Sequence, residues 1–451
     1  MNIENIKDFF KNKIKGHKEN QIYLRATIHL IKFFLYKEYR DNRCLIDPSA
    51  SFFYKYRKLS NYFAIPLSIF AKYLKKKNIF ISVHNDCNFS MGHIYSEIDQ
   101  IQRMQKIDNR YYDSIIWFTT SRKEILGETS DIFENKSFKI IFGGVKRIFL
   151  TLVAMRHPSI SIDASLSIDN YIMGNTKLSQ RVVFHDKPKK RGSLIARTSE
   201  FYPNKDKLSN YHFAKNQLLQ NLKIYKKYIV IQVKTTKQNG TIKSLSPDLL
   251  LETIKYFQNK DYQIILAGRE EFPEIFLNKS IIDYANSRYA SPLNDFLLIG
   301  QCSLVISAAS GFCNLPENFD KPLLILNGHH LFQYFGRRTI HLPTLLSRRN
   351  EKFNAITQFK YLCDYGPDCG YDTFDDLHIL HMPTSYEIFM AAKELEAFLS
   401  TSTPSHTSLQ KKIRDGDGCP LLSYGLSRIS NYYLTKHGYF FIKNSISFNS
   451  L

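Results

Sequence analysis

Between Leu304 and Leu326 the chain runs Leu304-Val305-Ile306, then Ser307-Ala308-Ala309-Ser310-Gly311-Phe312, and closes on Pro322-Leu323-Leu324-Ile325-Leu326. The first apolar run is too short for a helix and ends in small and hydroxyl residues. The stretch before the second run has room for about three helical turns or fewer. This spacing predicts strand, tight turn, helix, strand: one βαβ unit of a parallel sheet. Ser307, Ser310 and Gly311 fall where the strand hands over to the helix. Unpaired backbone N–H groups and the helix dipole at such a place favour an anion, so phosphate is the natural guest, and small residues let it approach the backbone. The same residues also read as a plain N-cap followed by a glycine turn, because Ser-Ala-Ala-Ser-Gly is far less specific than a P-loop.

The surroundings extend the pattern. Residues 228–233 are a β-branched run followed by the basic polar loop Lys234-Thr235-Thr236-Lys237-Gln238-Asn239-Gly240. Residues 247–259 carry Leu249, Leu250, Ile254 and Phe257 at helical spacing. Tyr262-Gln263-Ile264-Ile265-Leu266 is the next strand, ending in Ala267-Gly268-Arg269, and Ile281-Ile282-Asp283-Tyr284 leads to a helix over 292–300. Strands alternating with helices at this rhythm predict a doubly wound α/β domain, whose ligands bind at the carboxyl ends of the strands. Lys234, Arg269, Ser307, Ser310 and Gly311 all map to those ends, and their convergence suits a diphosphate. Gly268, Glu317 and Asn327 lie in the same or adjoining segments and complete the candidate donor-binding set.

A family resemblance rests on these residues. Ile282-Asp283-Tyr284-Ala285-Asn286-Ser287, Asp295-Phe296-Leu297, Cys302, Ser307-Ala308-Ala309-Ser310-Gly311, Leu315-Pro316, Phe319 and Lys321-Pro322 resemble a family of bacterial glycosyltransferases linked to surface polysaccharides. The segment is also distantly similar to heptosyltransferase-type enzymes of the two-domain GT-B class. The match covers about residues 226–330, with an echo at Gly92-His93. The resemblance implies two Rossmann-like doubly wound domains facing a cleft, with helical additions at both ends. It further implies that the carboxyl-terminal domain holds a nucleotide-sugar diphosphate. The chain departs from that family at Lys234, where an arginine is usual, and at Lys243-Ser244, where an Arg-Asn pair is usual; lysine keeps the charge without the bidentate fork.

A formal net charge of +21 needs a counterpart, and nucleic acid, anionic lipid and phosphorylated substrate are the three classes available. No zinc finger, RNP-like aromatic motif or helix-turn-helix pattern is present, which argues against nucleic acid. Seven scattered cysteines, an odd number, suit a reducing cytosol better than a disulfide framework. The longest apolar stretches, 62–74 and 28–36, are too short to span a membrane or carry lysine, histidine or proline, and residues 1–11 lack a signal-peptide core. Residues 22–39 place Leu24, Ile28, Ile31, Phe34 and Leu35 at helical spacing among Arg25, Lys32 and Lys37. Such a helix either lies on an anionic membrane surface or packs its stripe on the protein and shows its lysines to water.

In the amino-terminal half, residues 78–83 predict a strand, His84 to Ser90 a polar loop, and Met91-Gly92-His93 the opening of a helix over 94–105. Strands follow at 114–119 and 138–142. In the GT-B resemblance this loop borders the acceptor. A base there would take the proton of the acceptor hydroxyl, and Asp86, His93 and Glu97 are the candidates. Glu97 lies one helical turn beyond His93. Equally, Glu97 reads as part of an exposed helix face with Asp99 and Arg103, and His93 as a residue of the first turn.

Asp186-Lys187-Pro188-Lys189-Lys190-Arg191-Gly192 is a basic turn-rich segment, either a surface loop or a contact for a phosphorylated acceptor, and 209–225 reads as helical. Asn327-Gly328-His329-His330 overhangs the strand ends. No run matches zinc spacing: Cys363 to Cys369 with Asp372, Asp375, Asp376, His378 and His381 reads as an acidic loop, and Asp415-Gly416-Asp417 follows no strand. Residues 383–400 predict an amphipathic helix closing over the domain pair, 401–408 a linker, and 421–441 an aromatic segment, read as a helical hairpin of unknown packing. The expected organisation is a basic helical segment (1–77), an acceptor-side α/β domain (78–210), a nucleotide-sugar-binding α/β domain (226–400), and a linker and tail (401–451). The expected activity is metal-independent sugar transfer from a nucleotide sugar to a hydroxyl in surface-glycan synthesis, with no cofactor beyond the donor. The acceptor is a glycan or lipid-linked glycan, and the setting is the cytoplasm, at the inner face of the membrane where the basic helix is peripheral. The alternative is a non-catalytic membrane-surface or glycan-assembly protein that keeps the GT-B-like nucleotide-binding fold without the base.

Overall fold

In the amino-terminal part the computed structural model describes four strands, β1 (Ile79–Val83), β2 (Ser114–Thr119), β3 (Phe138–Phe142) and β4 (Ile160–Asp163). Beyond them it describes residues 208, 210–235, 244–268, 272–273, 280–328, 336–349, 358, 378–401, 404–415 and 427–441. Two compact units hold these elements, β1–β4 in one and everything from residue 208 onward in the other.

In the first unit the order is β3-β2-β1-β4 and every pair is parallel. The apolar runs at 79–83, 114–119 and 138–142 form the strands their composition predicts. Ile160-Ser161-Ile162-Asp163 adds a fourth beside β1, with Ile79 opposite Ile160. The first strand is therefore internal, flanked by the second and the fourth, as in a doubly wound sheet.

The second unit begins with α1 (His212–Asn221), then β5 (Tyr228–Gln232), α2 (Leu251–Asn259), β6 (Gln263–Leu266), β7 (Ile281–Asp283), α3 (Pro292–Ile299), β8 (Leu304–Ala308) and β9 (Leu323–Gly328). It continues through β10 (Thr339–Pro343), β11 (Leu345–Arg348), β12 (His378–His381), α4 (Ser385–Glu396), α5 (Ser408–Asp415), β13 (Arg428–Ile429) and α6 (Asn431–His437). Seven strands form one parallel sheet in the order β13-β10-β9-β8-β5-β6-β7, and β11 with β12 makes a separate antiparallel pair. The chain enters at β5, steps outward through β6 and β7, then returns over the sheet to β8 and continues through β9 and β10. Right-handed crossovers running in opposite directions put α2 and α3 on opposite faces. Both faces are covered, which is why β5, β8 and β9 are buried along their whole length and read as unbroken apolar runs.

The helices follow from local signals. Pro247–Leu250 forms a 3-10 turn that leads into α2, and Leu250, Ile254 and Phe257 of the predicted stripe are buried. Ser291 caps α3 by accepting from the Asn294 N–H, Pro292 occupies its first turn, and Phe296 to Ile299 are all buried. One element departs from expectation. The segment after β8 is two successive 3-10 turns, Gly311–Asn314 and Pro316–Phe319, instead of an α-helix. Pro316 has no N–H to return to Phe312, so an α-helix begun at Gly311 would break there. Asp320, at φ 52°, then ends the segment in the left-handed region.

Thr384 and Glu387 form a reciprocal capping box at the start of α4. This helix packs against α2, α6, β9 and β10, so the helix predicted over 383–400 lies on the sheet of its own unit. Of the aromatic segment 421–441, read as a helical hairpin, the described residues 427–441 form a strand, an α-helix and a 3-10 turn (Gly438–Phe441). Arg428 and Ile429 pair in parallel with Ile340 and His341 at the sheet edge. The buried Arg428 guanidinium donates to the carbonyls of Ser405, Arg337 and Pro404 at 2.8, 2.7 and 2.9 Å. Among the described residues, no helix is long and apolar enough to cross a membrane.

Candidate functional site

The strand order of the second unit reverses between β5 and β8, and loops leaving such a switch point diverge to opposite faces and leave a crevice at the carboxyl ends. Gln232, the last residue of β5, is paired across this point with Ser307 of β8. Its side chain lies across the strand ends. The Oε1 atom accepts from the Ser307 hydroxyl at 2.8 Å and from the Ser310 hydroxyl at 3.0 Å, while Nε2 donates to the Val233 carbonyl at 3.1 Å. From the β6 side Gly268 closes on the same side chain: a Cβ at residue 268 would stand 2.9 Å from Gln232 Cγ. One buried amide thus joins the ends of β5, β6 and β8.

This arrangement assigns work to the residues singled out from sequence. Ser307 is fully buried, and its hydroxyl also lies 3.0 Å from the Ala308 carbonyl. Ser310 gives its hydroxyl hydrogen to Gln232 and accepts from the Phe312 N–H at 3.3 Å, capping the first 3-10 turn. The N–H of Gly311, between them, has no hydrogen-bond partner among the described residues. Because the turn is 3-10 and short, no α-helix dipole stands behind that N–H. Gly268 has φ +102°, a conformation that only glycine adopts without strain.

Lys234 follows β5 by two residues, and its carbonyl accepts from the Leu245 N–H at 2.7 Å. Asn327, at the end of β9, is fully buried with φ 53°. Its Nδ2 donates to the Ser244 carbonyl at 2.7 Å, whereas its Oδ1 is buried with no partner among the described residues. Asn327 and Lys234 therefore both hold the returning end of the loop after β5, one through Ser244 and the other through Leu245. Glu317 lies half-buried in the second 3-10 turn, its Oε1 3.2 Å from where a Cβ on Gly336 would stand. Arg269, His329 and His330 lie outside the described residues, as do the base candidates Asp86, His93 and Glu97.

The structure therefore brings Ser307, Ser310 and Gly268 together around a residue that sequence reasoning passed over. The available signal was small: an amide ending an otherwise apolar strand, directly before a basic loop.

Among the described residues no group of three or more histidine, cysteine, aspartate or glutamate side chains could hold a metal ion. His381 sits 2.8 Å from the Ser347 hydroxyl, and burial, with the nearby His437, holds its ring below the usual histidine range. Residues 363–376 and 416–417 lie outside the described residues.

No family model matches this sequence, and no curated protein matches it. Among solved structures the chain is similar to E. coli ADP-heptose lipopolysaccharide heptosyltransferase II, with 12% identity and a TM-score of 0.41 over 71% of this chain and 98% of that one. It is similar to the E. coli heptosyltransferase WaaC with ADP-2-deoxy-2-fluoro heptose, at 11% identity and a TM-score of 0.35 over 64% and 100%. A glycosyl transferase of family 9 from Veillonella parvula aligns at 11% identity and a TM-score of 0.39 over 71% and 97%. These are distant likenesses, to glycosyltransferases.

Proposed function

We propose that the chain is a glycosyltransferase that moves a sugar from a nucleotide-sugar donor to a hydroxyl acceptor in surface-glycan synthesis. The observation that carries this reading is the convergence of the β5, β6 and β8 ends on Gln232 at the switch point, where a doubly wound sheet binds its ligand. The donor diphosphate rests at Gly311, whose N–H has no partner among the described residues, with Lys234 and Arg269 supplying positive charge as the diphosphate leaves. Glu317 offers a carboxylate to donor hydroxyls, and Asn327 a buried carbonyl oxygen. Transfer proceeds without a metal in this reading. Asp86, His93 or Glu97 takes the proton from the acceptor, a glycan or lipid-linked glycan. The basic balance of the chain, +21, suits work in the cytoplasm beside an anionic membrane as well as binding of a diphosphate, without nucleic acid as a partner.

Thermal denaturation against a panel of nucleotides and nucleotide sugars tests the reading. A ligand at a hundred times its Kd adds about 2.7 kcal/mol. Millimolar nucleoside diphosphate or nucleotide sugar should therefore raise the wild-type Tm by several degrees and leave Ser310→Trp unmoved. Failure of every nucleotide to stabilise the wild type would sink the proposal.

A further inference from the structure

We infer that Gln232 is the positioning residue of the phosphate turn and that its neutral amide sets the turn's capacity for a diphosphate; this rests on the donor site proposed above. The two ends of the amide do different work. Oε1 takes the hydrogens of Ser307 and Ser310, at 2.8 and 3.0 Å, which leaves a lone pair of the Ser310 oxygen for the Phe312 N–H. Nε2 gives a hydrogen to the Val233 carbonyl at 3.1 Å and so orients the amide, because a side chain turned over would place Oε1 against that carbonyl. Held this way, the Ser310 hydroxyl has no hydrogen to spare for an anion, and the Gly311 N–H is a donor left over among the described residues. Gln232 is about 5% exposed, so a charge at its position would act on the turn with little screening by water.

A carboxylate in this place fails twice. It cannot donate to Val233, and it sets a negative charge beneath the site of a negative ligand. A protonated carboxyl repairs both faults, since its C=O accepts and its O–H donates as the amide does. Gln232→Glu is therefore a pH-gated version of the wild type.

The test measures, on the full chain, the Kd of whichever of ADP, GDP, UDP or CDP stabilises the wild type most. Between pH 8 and pH 5, Gln232→Glu should bind at least tenfold more weakly than the wild type at the upper end and regain most of that loss at the lower. A purely structural role for Gln232 would lower stability without making the affinity ratio depend on pH. Equal affinity at pH 8, or a deficit that does not change with pH, would overturn the inference. Hydrogen exchange across residues 307–315 of the unliganded protein is independent of any nucleotide. Gln232→Met should speed exchange there by at least tenfold, and unchanged exchange also overturns the positioning role. A wild type that binds none of the four nucleotides defeats the donor site itself, whatever the exchange result.

Discussion

Gly268 meets two requirements at once. Its φ of +102° lies where a side chain is strained, and the space a Cβ would take is already filled by Gln232 Cγ at 2.9 Å. Gly268→Ala must therefore twist the loop after β6 or push the Gln232 amide off Ser307 and Ser310. We expect it to cost about 2–3 kcal/mol in urea unfolding, from backbone strain of about 1–3 kcal/mol plus the displaced hydrogen bonds. A loss below about 0.5 kcal/mol, the size of an ordinary surface change, would show that the contact relaxes freely. The small residues of this site were legible in the sequence, because glycine and serine at strand ends are visible locally. Gln232 was not. Its partners lie 75 and 78 residues further along, and only the pairing of β5 with β8 brings them to it.

At the scale of elements, one carboxylate fastens the carboxyl-terminal segment. Glu394 of α4 accepts from the Ser430 hydroxyl at 3.0 Å, the Asn431 N–H at 2.8 Å and the Gln410 amide at 3.0 Å. Gln410 donates onward to the Ile429 carbonyl at 2.8 Å, and the Tyr433 hydroxyl reaches the Pro343 carbonyl at 2.9 Å. Glu394→Ala strands three donors in a half-buried seam, so it should destabilise by about 2–4 kcal/mol. It should also open residues 404–415 to limited proteolysis before the sheet unfolds. An unchanged cleavage pattern and Tm would mean that β13 and α6 hold without this seam. Helix α4 could be read from its capping box and apolar spacing, both local. The 3-10 turns after β8 could not be read from apolar spacing alone, since the break is imposed by Pro316 and by the short path to β9. Nor could the place of β13, a two-residue strand whose pairing depends on an edge left open by β10.

For the whole molecule, the expected weakness is acid. His341, in β10, is about 7% exposed, and burial pushes its ring from 6.5 down to about 3. The folded state therefore holds this ring neutral while the unfolded chain protonates it below about 6.5. The resulting stability is fully present above pH 6.5 and is lost as pH falls from there toward 3, at about 1.4 kcal/mol per pH unit for the one group. A formal charge of +21, with 14 histidines to add to it, makes self-repulsion grow over the same range. Urea unfolding at several pH values should show the wild type losing stability more steeply than His341→Asn below pH 6.5. Parallel curves would remove His341 from the acid sensitivity.

The α/β class follows from sequence alone, because apolar runs of strand length alternating with helical stripes depend only on neighbouring residues, and so do the caps of α3 and α4. The strand order, the switch point between β5 and β8, the seating of the carboxyl-terminal segment on the sheet, and the gathering of Ser307, Ser310 and Gly268 around Gln232 belong to tertiary structure. Each is a contact between residues far apart in the chain, and a side chain's hydrogen-bonding role in such a contact is set by which strand lies beside it, a fact no local pattern carries.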